Sequence, residues 1–515
     1  MAINSNSPRT AKTAQLAQQW PDVPDWVFQK LGVSRKELTT FAGKLHTNAT
    51  VVLPGMPAYP ADSASAGDNK PLIIAYCTTF ADVRLCLEWA RRHRWWVACR
   101  AGGHSSAGYS VSSGMVIDVS GIDYVAIDPA QKLARIGGGA QFGHINAQLN
   151  TYKLHIPGGT CDTVSIGGHM QGGGYGFTSR EFGLNCDCVV GVTVMLASGK
   201  IVEADSMVNP DLYWAVRGGT GGNFGILLEA RYKLWDVQRL WGYCLSWPLE
   251  QAPEALDVLQ REYMGIGKDQ VGYLVVLSNL GKGPVLLVMG TYHGTEKAGR
   301  EALAPLVAVG TPTFLFDKTD TYNVLNEALL GVLPGVPDGS GELKDCGYLG
   351  TELGVTGWKA FCDYFATSPN TFNIAVIEPY GGKLNSIPVT ECAFIHRKTY
   401  GDFFIDSFFA ASADSKLNDK DSARKWMEGG MQVMAPYFNG FRYQNYPQPF
   451  YTDYRWQYWG DSFNSLLFIK QKYDPENFFH FPQSISPYPD TPGITRSQVP
   501  SMFTDENISY PSWDS

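Results

Sequence analysis

Glycine sets the terms on which this chain can fold. There are 55 glycines in 515 residues, above the roughly 7% of average usage, and the excess is gathered at positions 102–103, 137–139, 158–176 and 218–225. Clustered glycine brings backbone close to a ligand and frees amides to turn toward an anion, so the pattern implies a backbone-lined cofactor cleft. The segment Arg100-Ala-Gly-Gly-His-Ser-Ser-Ala-Gly-Tyr109 follows an apolar run, Trp96–Cys99, that reads as a strand. A diphosphate fits such a loop, and so does a plain turn carrying a surface histidine. The second cluster decides between them. In Gly158-Gly-Thr-Cys-Asp-Thr-Val-Ser-Ile-Gly-Gly-His-Met-Gln-Gly-Gly-Gly-Tyr-Gly176 a cysteine sits in an equally bare loop, and no short nucleotide or catalytic motif accounts for the pair.

Together these loops resemble the berberine-bridge-enzyme-like branch of the FAD-linked oxidases, in the vanillyl-alcohol-oxidase superfamily of PCMH-type FAD-binding proteins. The likeness runs from about Pro71 to Trp235 and resumes from Phe441 to Ile485. In that branch a histidine in an R-x-G-G-H-S loop is bonded to the 8α-methyl of the flavin, and a cysteine in a G-x-C-x-T-V-x-x-G-G-H loop is bonded to its carbon 6. His104 and Cys161 occupy those positions. The resemblance therefore implies a bicovalent FAD. Its cradle would be Arg100, Ala101, Gly102, Gly103, Ser105, Ser106, Gly108 and Tyr109 from the first loop, and Gly159, Thr160, Thr163, Gly167, Gly168, His169, Gly173, Gly174 and Gly176 from the second. Asn445 joins them from the C-terminal segment, and the third glycine loop, Arg217–Gly225, is assigned to the same cradle on the same ground.

A flavin supplies the hydride acceptor, so the protein has to bind it, tune it and place a base beside the substrate. Tyr446 corresponds to the catalytic tyrosine of the family's sugar and alcohol oxidases, and Tyr175 to a second tyrosine reaching the same pocket. A tyrosine acts as a base only if its pKa falls well below its usual value of roughly 10. Alkaloid-oxidising members carry a glutamate where this chain has Val389; Glu391, read as two residues along a strand on the same face, is open as a substitute base or as an ordinary polar residue, the latter favoured, and Tyr443 is another candidate base. Val164, three residues after the flavin-linked cysteine, goes in the family with rapid reoxidation by dioxygen and hence release of hydrogen peroxide. Three functions are open to such a chain: an oxidase of a small sugar or alcohol, a tailoring oxidase or oxidative cyclase of secondary metabolism, and a flavin-loaded binding protein with little turnover.

The length exceeds that of a single core, so two domains or more are expected. The fold class is α+β: a two-subdomain PCMH-type FAD-binding domain with an antiparallel-sheet substrate domain backed by helices. The expected divisions are 1–240, with its core at about 67–240, then 241–440, then a tail at 441–515 that returns to the first domain. Within the first, residues 1–70 read as a surface wrapping. Leu72–Cys77 reads as a strand, Thr79 with Asp82 as a helix start of the capping-box type, and Trp96–Cys99 as the returning strand of a β-α-β unit. Strands are expected at Met115–Val119, Val125–Ile127, Leu133–Ile136, Val192–Leu196 and Ile201–Ala204, and Asn209-Pro210 reads as the cap and first turn of a short helix. Beyond Leu240 the alternation at Tyr273–Leu277 and Val285–Tyr292 signals antiparallel strands, and a helix is expected from about Ser462 to Lys472.

Charge narrows the partners. Only 17% of residues are charged, the formal net charge is -8 and the pI is near 5.6, which argues against nucleic acid or a polybasic membrane surface. A small organic substrate and dioxygen, with the chain as a monomer, are expected. No signal peptide or spanning segment is visible, and the cysteines lie in apolar patterns, so a cytoplasmic, reducing setting is expected; in a secreted protein the sequons at Asn48 and Asn507 would become usable. The nine histidines form no metal motif, and Cys186-Asp-Cys188 has neither zinc spacing nor a partner pair in the sequence.

Overall fold

The computed structural model describes Trp20 and residues 23–64, 69–265, 267–412 and 417–486. The sequon at Asn507 and the first nineteen residues of the expected wrapping lie outside these.

The two helices and the strand that come after Trp20 belong to the core. Helices α1 (Asp25–Leu31) and α2 (Arg35–Ala42) bury Val27 and Leu38 completely, and strand β1 (Thr50–Val52) pairs antiparallel with β2 (Ile73–Tyr76). The surface wrapping expected for residues 1–70 is thus corrected over 25–52, because apolar side chains spaced along two short helices are buried where they meet the first sheet. Helix α3 (Phe80–His93) starts at the expected capping box of Thr79 and Asp82. Strand β3 (Val97–Arg100) then runs parallel to β4 (Met115–Asp118), and the order β1-β2-β4-β3 places β4 between the two strands that α3 connects.

Five antiparallel strands make the second sheet: β5 (Val125–Asp128), β6 (Leu133–Gly137), β7 (Val189–Met195), β8 (Ile201–Ala204) and β9 (Ile226–Lys233), in the order β5-β6-β9-β7-β8. Helix α4 (Phe142–Asn150) leads into the cysteine loop. Helix α5 (Pro210–Val216) has proline in its first turn as expected, but Asn209 does not cap it: the residue is left-handed, at φ 47°, and its side-chain amide donates to the Glu203 carbonyl.

The third sheet has seven antiparallel strands: β10 (Leu240–Pro248), β11 (Val271–Asn279), β12 (Pro284–Tyr292), β13 (Thr313–Asp320), β14 (Ser340–Leu349), β15 (Ile374–Pro379) and β16 (Gly401–Ala410), in the order β13-β10-β12-β11-β15-β16-β14. Its two faces read directly from the alternation of side chains. Phe403 and Ile405 join the core under helices α6 (Ala252–Glu262), α7 (Gly354–Phe365) and α8 (Lys420–Met434), whereas Cys346, Tyr348, Val376 and Phe404 face the five-stranded sheet and the cysteine loop. The stretch 387–400, where the sequence suggests a strand around Glu391, has no regular structure.

The tail returns to the first domain and closes the glycine-rich loops. Helix α9 (Phe463–Tyr473) carries Lys470, whose buried ammonium donates to the carbonyls of Asn223 (2.6 Å) and Phe479 (2.5 Å) and to the Asp474 carboxylate (2.7 Å). Gly218 accepts from Gln444 and from the Trp459 indole, each at 3.0 Å. Lys470→Ala leaves a buried carboxylate and two carbonyls without that donor, so it should cost about 3–5 kcal/mol of stability. Urea unfolding is the check, and a loss under 1 kcal/mol would show that the tail is not held this way. Among the described residues no helix is long and apolar enough to cross a membrane.

Candidate active site

The three glycine loops, the substrate sheet and the tail enclose one cavity of about 2560 Å³. The first loop leaves the carboxyl end of β3, where a parallel sheet opens a crevice. Ala101 to Ser106 and Tyr109 lie on the cavity wall. Absence of side chains permits the approach of the two loops, since a Cβ at Gly102 would stand 3.0 Å from both the Ser165 amide and the Thr163 carbonyl. Gly108 turns the chain at φ 75° without reaching the wall, and Ser106 donates to the Pro447 carbonyl (3.0 Å), tying the loop to the tail. The Arg100 guanidinium is turned inward, ion-paired with Asp118 at 2.5 Å and donating to the Asp62 carbonyl and the Tyr76 hydroxyl, so it braces the strand end.

His104 and Cys161 both line the cavity and both reach one hydroxyl: Thr163 Oγ1 lies 3.0 Å from His104 Nε2 and 3.5 Å from Cys161 Sγ. Partial desolvation lowers the His104 pKa, which keeps the imidazole neutral with a nitrogen lone pair to offer. Gly159, Thr160, Val164, Gly167, Gly168 and His169 complete this wall. Gly173, Gly174 and Gly176, expected in the cradle, do not line it. Their Cβ positions fall on Phe394, on the His169 ring and on the Gly158 backbone respectively, so they are glycines because of packing.

Does this wall suit a flavin? His169 is the telling residue. Its ring stands edge-on to Phe142, burial lowers its pKa to about 3, and its Nε2 has no protein hydrogen-bond partner. That nitrogen is packed against Gly174, where a Cβ would stand 2.7 Å from it, so what the ring gives the wall is an uncharged aromatic surface, which fits a bound aromatic group. Glycine-lined amides on one side and two potential covalent ligands around a single threonine on the other fit it as well.

Across the cavity stand titratable groups of the substrate sheet and the tail. Tyr446 is half-buried, and its hydroxyl donates to Glu378 Oε1 at 2.9 Å. Its ring meets Phe404 and Tyr443 edge-on, each at 4.9 Å. The Lys344 ammonium lies 4.7 Å from the same ring and 4.0 Å from that of Phe404, ion-paired with Asp406 and 3.6 Å from Glu342. Burial, opposed by the Tyr446 hydrogen bond and by Lys344, pushes Glu378 up to about 7. Burial and the Glu378 carboxylate push the Tyr446 phenol well above its ordinary value. That corrects the expectation of a depressed tyrosine: no cation touches its oxygen, and a carboxylate does.

The other sequence candidates are otherwise engaged. Tyr175 lines the cavity as expected, but it is buried and its hydroxyl donates to the carbonyls of Pro379 (2.9 Å) and Tyr273 (3.2 Å). The Tyr443 hydroxyl accepts from the Gly174 amide (2.9 Å) and from Asn445 (3.1 Å), which also donates to the His169 carbonyl. Glu391 is mostly exposed, 3.8 Å from Arg217 and off the cavity wall, because its segment is irregular and leads outward. Glu378, Lys344 and Asp406 were missed in the sequence. The signal was there: in Ile374-Ala-Val-Ile-Glu-Pro379 one carboxylate interrupts an apolar strand, and a buried charge implies a partner. The Cys186-Asp-Cys188 turn does gain a distant neighbour, Cys392, but the Arg397 guanidinium already holds Asp187 through two hydrogen bonds (2.6 and 2.9 Å) and lies 3.4 Å from Cys392 Sγ.

A family model described as "FAD binding domain" matches residues 71–205, and one described as "Berberine and berberine like" matches 442–486. The chain is 30% identical over 456 residues to the FAD-linked oxidoreductase YvdP of Bacillus subtilis, covering 86% of this chain and 99% of that one. It is 28% identical over 439 residues to a chitooligosaccharide oxidase of Gibberella zeae, covering 81% and 88%. Among solved structures it is similar to Physcomitrella patens BBE-like 1, with a TM-score of 0.76 and 26% identity over 85% of this chain and 97% of that one. This chain belongs to the berberine-bridge-enzyme-like FAD-linked oxidoreductases, and it is an enzyme of that class.

Proposed function

We propose that the protein is an oxidase that holds FAD through His104 and Cys161, oxidises a hydroxyl-bearing carbon of a small sugar or alcohol, and releases hydrogen peroxide. The observation that carries this is the 2.9 Å hydrogen bond from Tyr446 to Glu378 on the wall of the cavity that His104 and Cys161 share. A bound FAD supplies the hydride acceptor and passes the electron pair on to dioxygen. The protein's own part is the proton. Tyr446 accepts the substrate hydroxyl proton while releasing its own to Glu378, so the phenol never has to exist as a free phenolate. The likeness to a chitooligosaccharide oxidase supports a carbohydrate as the first substrate to try.

The test is anaerobic mixing with a panel of oligosaccharides, monosaccharides and alcohols, followed by flavin absorbance, then admission of air with a peroxide assay. Bleaching by at least one hydroxyl compound is expected; a trace that stays flat across the panel would remove the proposal. Val164 lines the cavity and is half-buried, leaving room beside Cys161 for dioxygen. Val164→Ile should therefore slow reoxidation by on the order of tenfold, a barrier change of about 1.4 kcal/mol, without changing the anaerobic rate. Equal reoxidation rates would detach oxygen reactivity from this position.

Proton uptake by Glu378 also fixes a pH dependence. The carboxyl must be ionised to accept, and its pKa is raised to about 7, so flavin reduction should accelerate as pH rises through about 7. Glu378→Gln should be about 10²-fold slower and lack that rise. A wild-type profile already flat from well below neutrality would contradict the assignment.

A further inference from the structure

The register of β14, β15 and β16 arranges the cavity-facing side of the substrate sheet in three rows. Ile374, Asp406 and Lys344 form one row, Val376, Phe404 and Cys346 the next, and Glu378, Asp402 and Tyr348 the third. Side chains directly opposite on one face have Cβ atoms about 4.5–5.5 Å apart. In the first row the charges of Lys344 and Asp406 meet in an ion pair. In the third row two carboxyls stand side by side with a tyrosine, and no cation lies among them.

Asp402 is wholly buried, and neither of its oxygens finds a hydrogen-bond donor; Glu378 Oε2 is likewise unpartnered. The charged groups nearest to them are engaged elsewhere: Lys344 with Asp406 and Glu342, Asp406 with Lys344, and Arg442 from the tail with Asp345. Tyr348, Tyr380, Tyr443, Tyr446 and Cys346 are held neutral by burial, and so is His396, stacked on Tyr348 with its pKa lowered by burial to about 3. Two adjacent carboxyls in such a setting cannot both ionise. Glu378 has the better claim to the charge, since the Tyr446 hydroxyl donates to it and it reaches the cavity wall, and Asp402 does neither.

We propose that Glu378 and Asp402 form a buried carboxyl dyad with a single negative charge that resides on Glu378, Asp402 keeping its proton throughout the working range. This deepens the reading of Tyr446 as the proton acceptor and rests on it. The row then alternates between one negative charge and none as Glu378 takes and returns the Tyr446 proton, and the proton has a single destination. Asp402 stands behind the base and touches neither substrate nor cofactor.

Infrared titration of the holoenzyme tests the coupling directly. A unit above the Glu378 midpoint, the wild type should show the carbonyl band of a protonated carboxylic acid, and labelling aspartate carboxyls with ¹³C should shift it, so that the assignment needs no substitution at Asp402. In Glu378→Gln, where the neighbouring charge is gone, the midpoint of that band should fall by more than about one pH unit. A merely structural, independently buried Asp402 would keep its midpoint, and a change below half that size would overturn the dyad. Asp402→Asn should abolish the band and leave the acid limb of flavin reduction where it is in the wild type; a limb displaced downward by more than about one unit would show that Asp402 had been ionised, which also overturns it. Should Tyr446→Phe prove as fast as wild type, the base assignment falls while the infrared result stands by itself.

Discussion

Tyr446→Phe is expected to slow anaerobic flavin reduction by about 10²- to 10⁴-fold while leaving the fold and the flavin content as they are. The ring is what packs: its contacts with Phe404 and Tyr443 and its place beneath the Lys344 ammonium survive in phenylalanine. What disappears is the hydroxyl that donates to Glu378. The loss has a second consequence with a definite sign. The Tyr446 hydrogen bond lowers the Glu378 pKa against the effect of burial, so without it the carboxyl titrates still higher, and any residual activity should rise with pH through a midpoint above that of the wild type. Stopped-flow reduction at several pH values reads both effects. Wild-type rates in the variant would show that the hydroxyl is not the acceptor.

The sequence disclosed the loops that line the cavity far better than the Tyr446–Glu378 pair, and for a physical reason. Loops that must lie against one another need glycine at fixed positions, so the His104 and Cys161 segments, which meet at Gly102 and Thr163, carry dense local patterns. The proton acceptor's partner depends on pairing between strands far apart in the chain. Glu378, Asp402 and Tyr348 become neighbours only through the order of β15, β16 and β14, and no window of sequence contains that order. Asp402 and Asp406, which share a strand face with Phe404, would have announced a solvent-facing strand; the face is instead the inner one, where Lys344 answers the charge of Asp406. Glu391 shows the converse error, in which the two-residue spacing of a strand is applied to an irregular segment. The three glycines at 173, 174 and 176 show a third kind, because packing against Phe394, His169 and Gly158 selects for glycine as strictly as a ligand does.

The proposed covalent attachment gives the sharpest contrast. Acid-precipitated wild-type protein is expected to carry all of its yellow colour into the pellet, and its intact mass to exceed that of the chain by one FAD. His104→Ala and Cys161→Ala should each keep the pellet coloured through the remaining bond, and the double variant should release the flavin entirely into the supernatant. The geometry behind this is the common partner: a single hydroxyl, Thr163 Oγ1, lies within 3.5 Å of both the imidazole and the sulfur, so the two ligand atoms are held near enough to attach to one ring system. Each does a different share of the work. The neutral imidazole of His104, with its pKa lowered by desolvation, has the lone pair that a carbon electrophile requires, whereas the half-buried Cys161 reaches the cavity from a loop whose backbone is fixed by the bond from the Val164 amide to the Cys161 carbonyl at 3.1 Å. Thr163→Val removes the shared hydroxyl and nothing larger, and should slow formation of both bonds without abolishing either. A colourless pellet from the wild type, with a mass equal to that of the bare chain, would show that these two residues do not serve as covalent ligands and would return the cavity to a dissociable flavin.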